Sequence, residues 1–327
     1  MKKILIAAGL MLIAAFGANY AFFMPASEQL STKNKEALAI GYSRLRISLP
    51  VFVAKERGFF DKHGIDADLK MYETAQPLMQ ALLQGQIDVA GYTALPITYN
   101  GMLRSKKDLL FTGLMIEDQD NRVSYLLRPK GSAEISNISD LQGKSIGILP
   151  TIAYKAWLEA MLKAENVPLE TVRIQQIAPT LQAKSLASGG VDALFTNDPA
   201  ATSAIRNNIA ELVSQLVEVP RYLGEPFVFG SFNVSKAWAD NNPELYRKVV
   251  AALDEAIAFI NEKPDEAKEA MAPYLPDVFK ADVKAYPSAR YFASTDTTLT
   301  LLQAAADQYL DIGIIKDRLD LSSAIRN

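Results

Sequence analysis

The chain has 327 residues, 34 Lys and Arg against 37 Asp and Glu, a formal net charge of −3, and 49% hydrophobic residues. It has no basic run and no basic–aromatic interleaving, which disfavours a nucleic-acid partner, and its length exceeds one ordinary core and suits two lobes. The absence of cysteine excludes a lipidated cysteine, a disulfide framework, a cysteine nucleophile and a thiolate metal site.

Met1-Lys2-Lys3 precedes an almost unbroken apolar run over residues 4–23. A basic start before such a run is an export signal, and Ala15-Phe16-Gly17 fits the small-x-small cleavage rule. The run is long enough to span a bilayer, so an uncleaved anchor is the alternative. Residues 28–35 are polar and read as a tether, making 1–34 a signal peptide or anchor plus tether.

From residue 38 the chain alternates strand and helix patterns. Residues 38–42 predict a strand and 43–47 a turn carrying Arg44 and Arg46. Ser48 is placed to cap a helix with Pro50 in its first turn, which stops at Gly58. A strand over 65–72, a helix over 76–84, a strand over 87–92, a helix over 95–103 and a strand over 109–114 follow. A polar passage at 117–122 leads to a strand at 123–127. Beyond it lie a helical turn at 138–141, strand 145–149, helix 154–164, strand 172–177, helix 180–187 and strand 191–196. Residues 212–217 read as a further strand and 222–232 as a return passage. After 235 the pattern is nearly all helix (236–241, 243–261, 264–271, 295–310), which should complete the first lobe. Strands alternating with helices imply mainly parallel sheets.

The segment 185–200, SLASGGVDALFTNDPA, repeats the grammar of 81–96, ALLQGQIDVAGYTALP. Aligning Gly85 with Gly189 places Leu82 on Leu186, Ile87 on Val191, Asp88 on Asp192 and Thr93 on Asn197. Upstream, Gly41 and Gly147 sit in matching strands at nearly equal spacing. Two α/β lobes of similar construction follow: 35–123 with 229–327, and 124–228, with hinge crossings near Val123 and Phe229.

Residues 40–42 (IGY), 49–60 (LPVFVAKERGFF), 64–66 (GID), 140–147 (DLQGKSIG), and the two Gly…Asp segments carry a resemblance. They resemble the nitrate/sulfonate/taurine and thiamin-pyrimidine family of solute-binding proteins that serve ABC importers. The resemblance covers roughly 38–260 and fixes the family, not the ligand. It implies a two-lobed periplasmic-binding-protein-like fold of type II, with two crossings, the C-terminal helices on the first lobe, and ligand between the lobes. Family members often carry Glu where this chain has Asp198.

Ligands of open α/β sheets sit beyond the carboxyl ends of strands, here 43–46, 72–76, 92–94, 149–152 and 196–198. Helix N-termini at several of these ends favour anions. Ser43, Ala94 and Ile152 fall at such ends. Arg44 and Arg46 could form a fork for a carboxylate or sulfonate, against the plainer reading of two solvated arginines. Ser48 is foremost a cap. Thr93, Thr151 and Asn197 end strands and both donate and accept hydrogen bonds. Asp198 reads as an N-cap that would suit a ligand amine if it faced the cleft. Of the aromatics near the rim (Tyr42, Tyr72, Tyr92, Tyr154, Phe195, Phe229), Tyr154 and Phe229 are the better wall candidates, the others more often being core. His63, the single histidine, lies in a polar turn and reads as exposed.

The leading expectation is an extracytoplasmic, monomeric binding protein that closes around a small organic anion or zwitterion of the sulfonate, taurine or nitrate type. It would deliver this solute to a membrane permease, without enzymatic activity, cofactor or metal. The alternatives are a thiamin-pyrimidine-like heterocycle as ligand, a tethered sensor domain, or an enzyme on the same fold.

Overall fold

A computed structural model describes residues 35–326, so the export-signal reading of 1–34 lies outside the described residues. The first lobe opens with β1 (Glu36–Tyr42), α1 (Leu49–Glu56), β2 (Ile65–Met71), α2 (Ala75–Leu83), β3 (Val89–Ala94), α3 (Leu95–Ser105) and β4 (Leu109–Glu117). The second holds β5 (Ser124–Pro129), β6 (Ser145–Ile148), α4 (Ile152–Ala164), β7 (Arg173–Gln176), α5 (Pro179–Ala187), β8 (Ala193–Asn197), α6 (Ala200–Arg206) and β9 (Ala210–Leu212). The chain returns through α7 (Glu218–Leu223) to β10 (Phe227–Ser235). It ends with α8 (Lys236–Asn241), α9 (Pro243–Glu262), α10 (Pro264–Glu269), β11 (Arg290–Phe292) and α11 (Leu299–Asp311).

Two sheets result, with strand orders β11-β4-β10-β3-β1-β2 and β7-β6-β8-β5-β9. β1 pairs parallel with β2 and β3, and β6 parallel with β7 and β8. The expectation of mainly parallel sheets needs correction, because β10, β4, β5, β9 and β11 all pair antiparallel. Among these, β10 runs against β3 and β5 against β8, while β4 and β9, paired through them, run in the same sense as the parallel core. Residues 212–217 are also not a strand: pairing ends at Leu212, and the segment leads into α7. β3, β4 and β8 are buried along their whole length, as strands covered on both faces should be.

The sequence repeat has a physical content. Asp88 Oδ2 accepts the backbone N–H of Ala39 at 2.8 Å, and Asp192 Oδ2 accepts that of Ser145 at 2.7 Å. Each carboxylate ties a strand entry to the central parallel strand of its sheet, β1 or β6. The turns before them place Gly85 and Gly189 at φ 71°, in the left-handed region that glycine enters without steric cost.

The crossings are held by carboxylates and an amide. Glu117, at the end of β4, accepts the N–H groups of Val123 and Ser124 and the Ser124 hydroxyl. Asp118 Oδ1 gathers the N–H groups of Asp120 and Asn121 and the Asn121 side-chain amide. Gln119 joins the two crossings by exchanging hydrogen bonds with the backbone of Val217, at 3.1 and 2.9 Å. Apolar packing runs through both lobes: Trp157 on α4 lies 4.8 Å from Phe229 on β10 between ring centroids and donates to the Tyr309 hydroxyl of α11.

Candidate functional site

A cleft lies where the carboxyl ends of β3, β6 and β8 face one another. The first turns of four helices reach it: Thr74 and Ala75 before and in α2, Ala94 and Ile97 at α3, Thr151 and Tyr154 at α4, and Pro179 at α5. Strand-to-helix alternation produces this convergence, since each helix starts where its strand ends. Thr151 caps α4, its hydroxyl accepting the Tyr154 N–H at 3.3 Å.

The walls are apolar and aromatic, from Leu45, Ile47, Tyr92, Leu149, Tyr154 and Phe229. Three buried side chains on this wall have no hydrogen-bond partner: the hydroxyls of Tyr92 and Tyr154, and both ends of the Asn197 amide. Tyr154 and Asn197 are neighbours, but no hydrogen bond of good geometry joins them. Burial pushes both tyrosine hydroxyls well above their ordinary pKa, with nearby carboxylates adding to the effect at Tyr154, so both stand as proton donors. Leaving such groups unpaired costs free energy; a bound molecule is the natural way to satisfy them. Among the described residues, the one charged residue on the lining is Glu73, exposed at the mouth.

Of the residues singled out from sequence, Ala94, Thr151, Tyr154, Asn197 and Phe229 come together on this wall. Ile152 faces a neighbouring groove between α2 and α3. The others lie elsewhere. Arg44 is exposed, and Arg46 is 1% exposed with its guanidinium committed inside the protein. Its Nη1 donates to the carbonyls of Pro287 and Ser288, and its Nη2 to that of Arg122 at 2.8 Å. Its Nε lies 3.1 Å from Asp198 Oδ2, off the N–H axis, so this contact is an ion pair and not a hydrogen bond. The anion fork is therefore corrected: one arginine points to solvent and the other to protein oxygens.

Asp198 is corrected in the same way. It is 0% exposed. Its Oδ2 also accepts the Tyr125 hydroxyl at 2.9 Å, and its Oδ1 accepts the N–H and hydroxyl of Thr202. It caps α6 from a distance, the peptide to Pro199 is cis, and the helix begins only at Ala200. No oxygen is left for a ligand amine. Burial is the largest single effect and opposes the charge of Arg46, but Asp198 together with Tyr125, Tyr291 and Glu117 outweighs it and raises its pKa.

Ser48 does not cap α1; its hydroxyl accepts the Ser43 N–H, and both residues are buried in the turn. Thr93 matches Asn197 in the repeat yet does not line the cleft. Its hydroxyl is 2.7 Å from that of Thr98 and accepts from Asn233 of β10. Sequence reading passed over Tyr92 as a wall residue, and also Pro179. Pro179 follows the end of β7, a position the strand-end rule reaches. For Tyr92 the signal lay in Gly230, where a Cβ would come within 2.4 Å of the tyrosine ring. His63 lies in the expected turn but is half-buried there, 3.4 Å from the Glu255 carboxylate.

Comparison with known proteins bears on the family and the fold. A family model described as NMT1/THI5 like matches residues 47–267. A protein of Brucella abortus (strain 2308) named as a binding protein is 23% identical over 279 residues, covering 82% of this chain and 83% of that one. The crystal structure of the periplasmic aliphatic sulphonate binding protein SsuA from Escherichia coli is similar with a TM-score of 0.69 at 18% identity, over 89% of this chain and 97% of that one. The periplasmic nitrate-binding protein NrtA from Synechocystis PCC 6803 gives 0.64 at 12%, over 86% and 82%. The fold is that of a two-lobed periplasmic binding protein.

Proposed function

This chain belongs to the NMT1/THI5-like family, and on that premise we propose that it is an extracytoplasmic solute-binding protein of an ABC importer, taking a small organic anion with an apolar body. The observation that carries the ligand class is the wall itself: aromatic faces and, among the described residues, three unpartnered buried polar groups and no cationic side chain. Hydrogen-bond donors and helix N-termini would hold the anionic oxygens, while Tyr92, Tyr154 and Phe229 would cover the carbon body. The sulphonate-binding relative supports such a solute; the nitrate-binding one supports the anion but offers less reason for the aromatic wall. The zwitterion arm is not proposed, because Asp198 is already fully engaged.

Export is supported by Lys2, Lys3 and the apolar run after them, and delivery to a permease by the family. Among the described residues no helix is long and apolar enough to cross a membrane. The Asn197 amide, with donor and acceptor both unpartnered, favours a second reading, a planar heterocycle of the thiamin-pyrimidine kind. A thermal-shift panel separates the two, since a ligand at a hundredfold its Kd adds about 2.7 kcal/mol. Alkanesulfonates and aromatic sulfonates should raise the melting temperature and nitrate should not. A shift with the pyrimidine alone would favour the second reading, and a shift with nitrate alone would overturn the organic-anion class.

A further inference from the structure

Arg46 and Asp198 come from different lobes, and each is fixed in place before it reaches the other. Arg46 follows β1 and is held on its own side by the carbonyls of Pro287, Ser288 and Arg122. Asp198 follows β8 and is held on its side by Thr202 and Tyr125. They meet at 3.1 Å with side chains 1% and 0% exposed. Asp198 is joined directly to Asn197, whose amide stands on the cleft wall.

We propose that Arg46 and Asp198 form an interlobe latch: a pair of positioning residues that selects the closed arrangement of the lobes and fixes Asn197 on the ligand wall. The latch belongs to the protein and does not depend on which solute is bound. A buried ion pair need not add net stability, because both charges lose their water. Its effect is selective. Separation of the lobes returns both groups to solvent, whereas closure without one partner buries the other charge uncompensated. Removing one member therefore penalises only the closed state, and removing both charges lifts most of that penalty.

The test needs no ligand. The chain lacks cysteine, so spin labels can be placed uniquely at Gln80→Cys on α2 and Lys184→Cys on α5, both exposed and in opposite lobes. Electron–electron distance measurement should find the parent mainly in one short-distance population. Asp198→Asn should lower the ratio of short to long distances at least tenfold. Arg46→Met combined with Asp198→Asn should return most of the short population. A purely structural pair would lower melting temperature in these variants without moving the distances. Equal distributions in parent and Asp198→Asn, a double variant as open as the single one, or a parent that is mainly open would each overturn the latch. If Asp198→Asn fails to fold, Arg46→Lys takes its place. It keeps the charge but cannot reach three carbonyls and a carboxylate together, so it should also shift toward long distances, and an unchanged distribution would overturn the proposal.

Discussion

Asn197 shows how a residue proposed to bind solute differs from a stabilising one. It is 2% exposed and neither end of its amide is paired, so in the folded protein it carries a desolvation cost of about 1–3 kcal/mol. Asn197→Leu should raise the melting temperature by a few degrees in a thermal scan while abolishing the ligand response found in the solute panel. Tyr154→Phe should act the same way on a smaller scale. Glu117 makes a different case. Burial pushes its carboxyl above the ordinary value of 4.5, despite the N–H groups of Val123 and Ser124 that favour its charge. The native state then keeps a proton that the unfolded chain has already lost. Its contribution is fully present below pH 4.5 and falls as pH rises toward the native pKa. Glu117→Gln should therefore be more stable than the parent near neutral pH and no more stable below pH 4.5, as urea titrations at several pH values would record.

At the scale of elements, the repeated βαβ units depend on small residues at close approaches. Gly230 of β10 lies against Tyr92, and a Cβ there would stand 2.4 Å from the ring and 2.5 Å from the Thr93 carbonyl. Tyr92 also lines the cleft, so displacing its ring would disturb the wall. Gly230→Ala should cost about 1–3 kcal/mol, the usual cost of overpacking, and should weaken solute binding as well. Chemical denaturation and calorimetric titration would read the two effects separately; undiminished binding would mean that Tyr92 is not part of the wall. Asp192 makes the matching element-level bond in the second lobe, to the N–H and hydroxyl of Ser145. Its loss should cost about 1.5–3 kcal/mol, as for hydrogen bonds to a charged group, and should leave the first-lobe bond of Asp88 to Ala39 intact. Hydrogen exchange at the Ser145 and Ala39 amides would distinguish the two.

For the whole molecule, the relevant fact is that one apolar cluster runs from Leu38 and Phe52 through Phe229 and Trp157 to Leu162. The lobes share packing as well as two crossings. Residues 35–326 should therefore unfold in a single calorimetric transition, with equal calorimetric and van't Hoff enthalpies. Two resolved transitions would show that each lobe holds its own stability and that the interlobe aromatic contacts add little.

The sequence by itself determined the kind and order of most elements, because their signals are local. Period-2 and period-3.6 patterning, the left-handed turns at Gly58, Gly85 and Gly189, and the Asp88 and Asp192 echo each report on a few neighbouring residues. It also located the cleft through the strand-end rule, which brought Thr151, Tyr154 and Asn197 to one wall. What only the tertiary structure decided was the partner of each side chain. Arg46 looked like a ligand group because the carbonyls that take its donors lie at 122, 287 and 288, and its counter-charge at 198. Thr93 and Asn197 occupy equivalent positions, but β10 brings Asn233 to Thr93, while no side chain satisfies Asn197. A local pattern fixes where a side chain emerges from the backbone; whether it meets a charge, a carbonyl or an empty cleft depends on which distant segment packs against it.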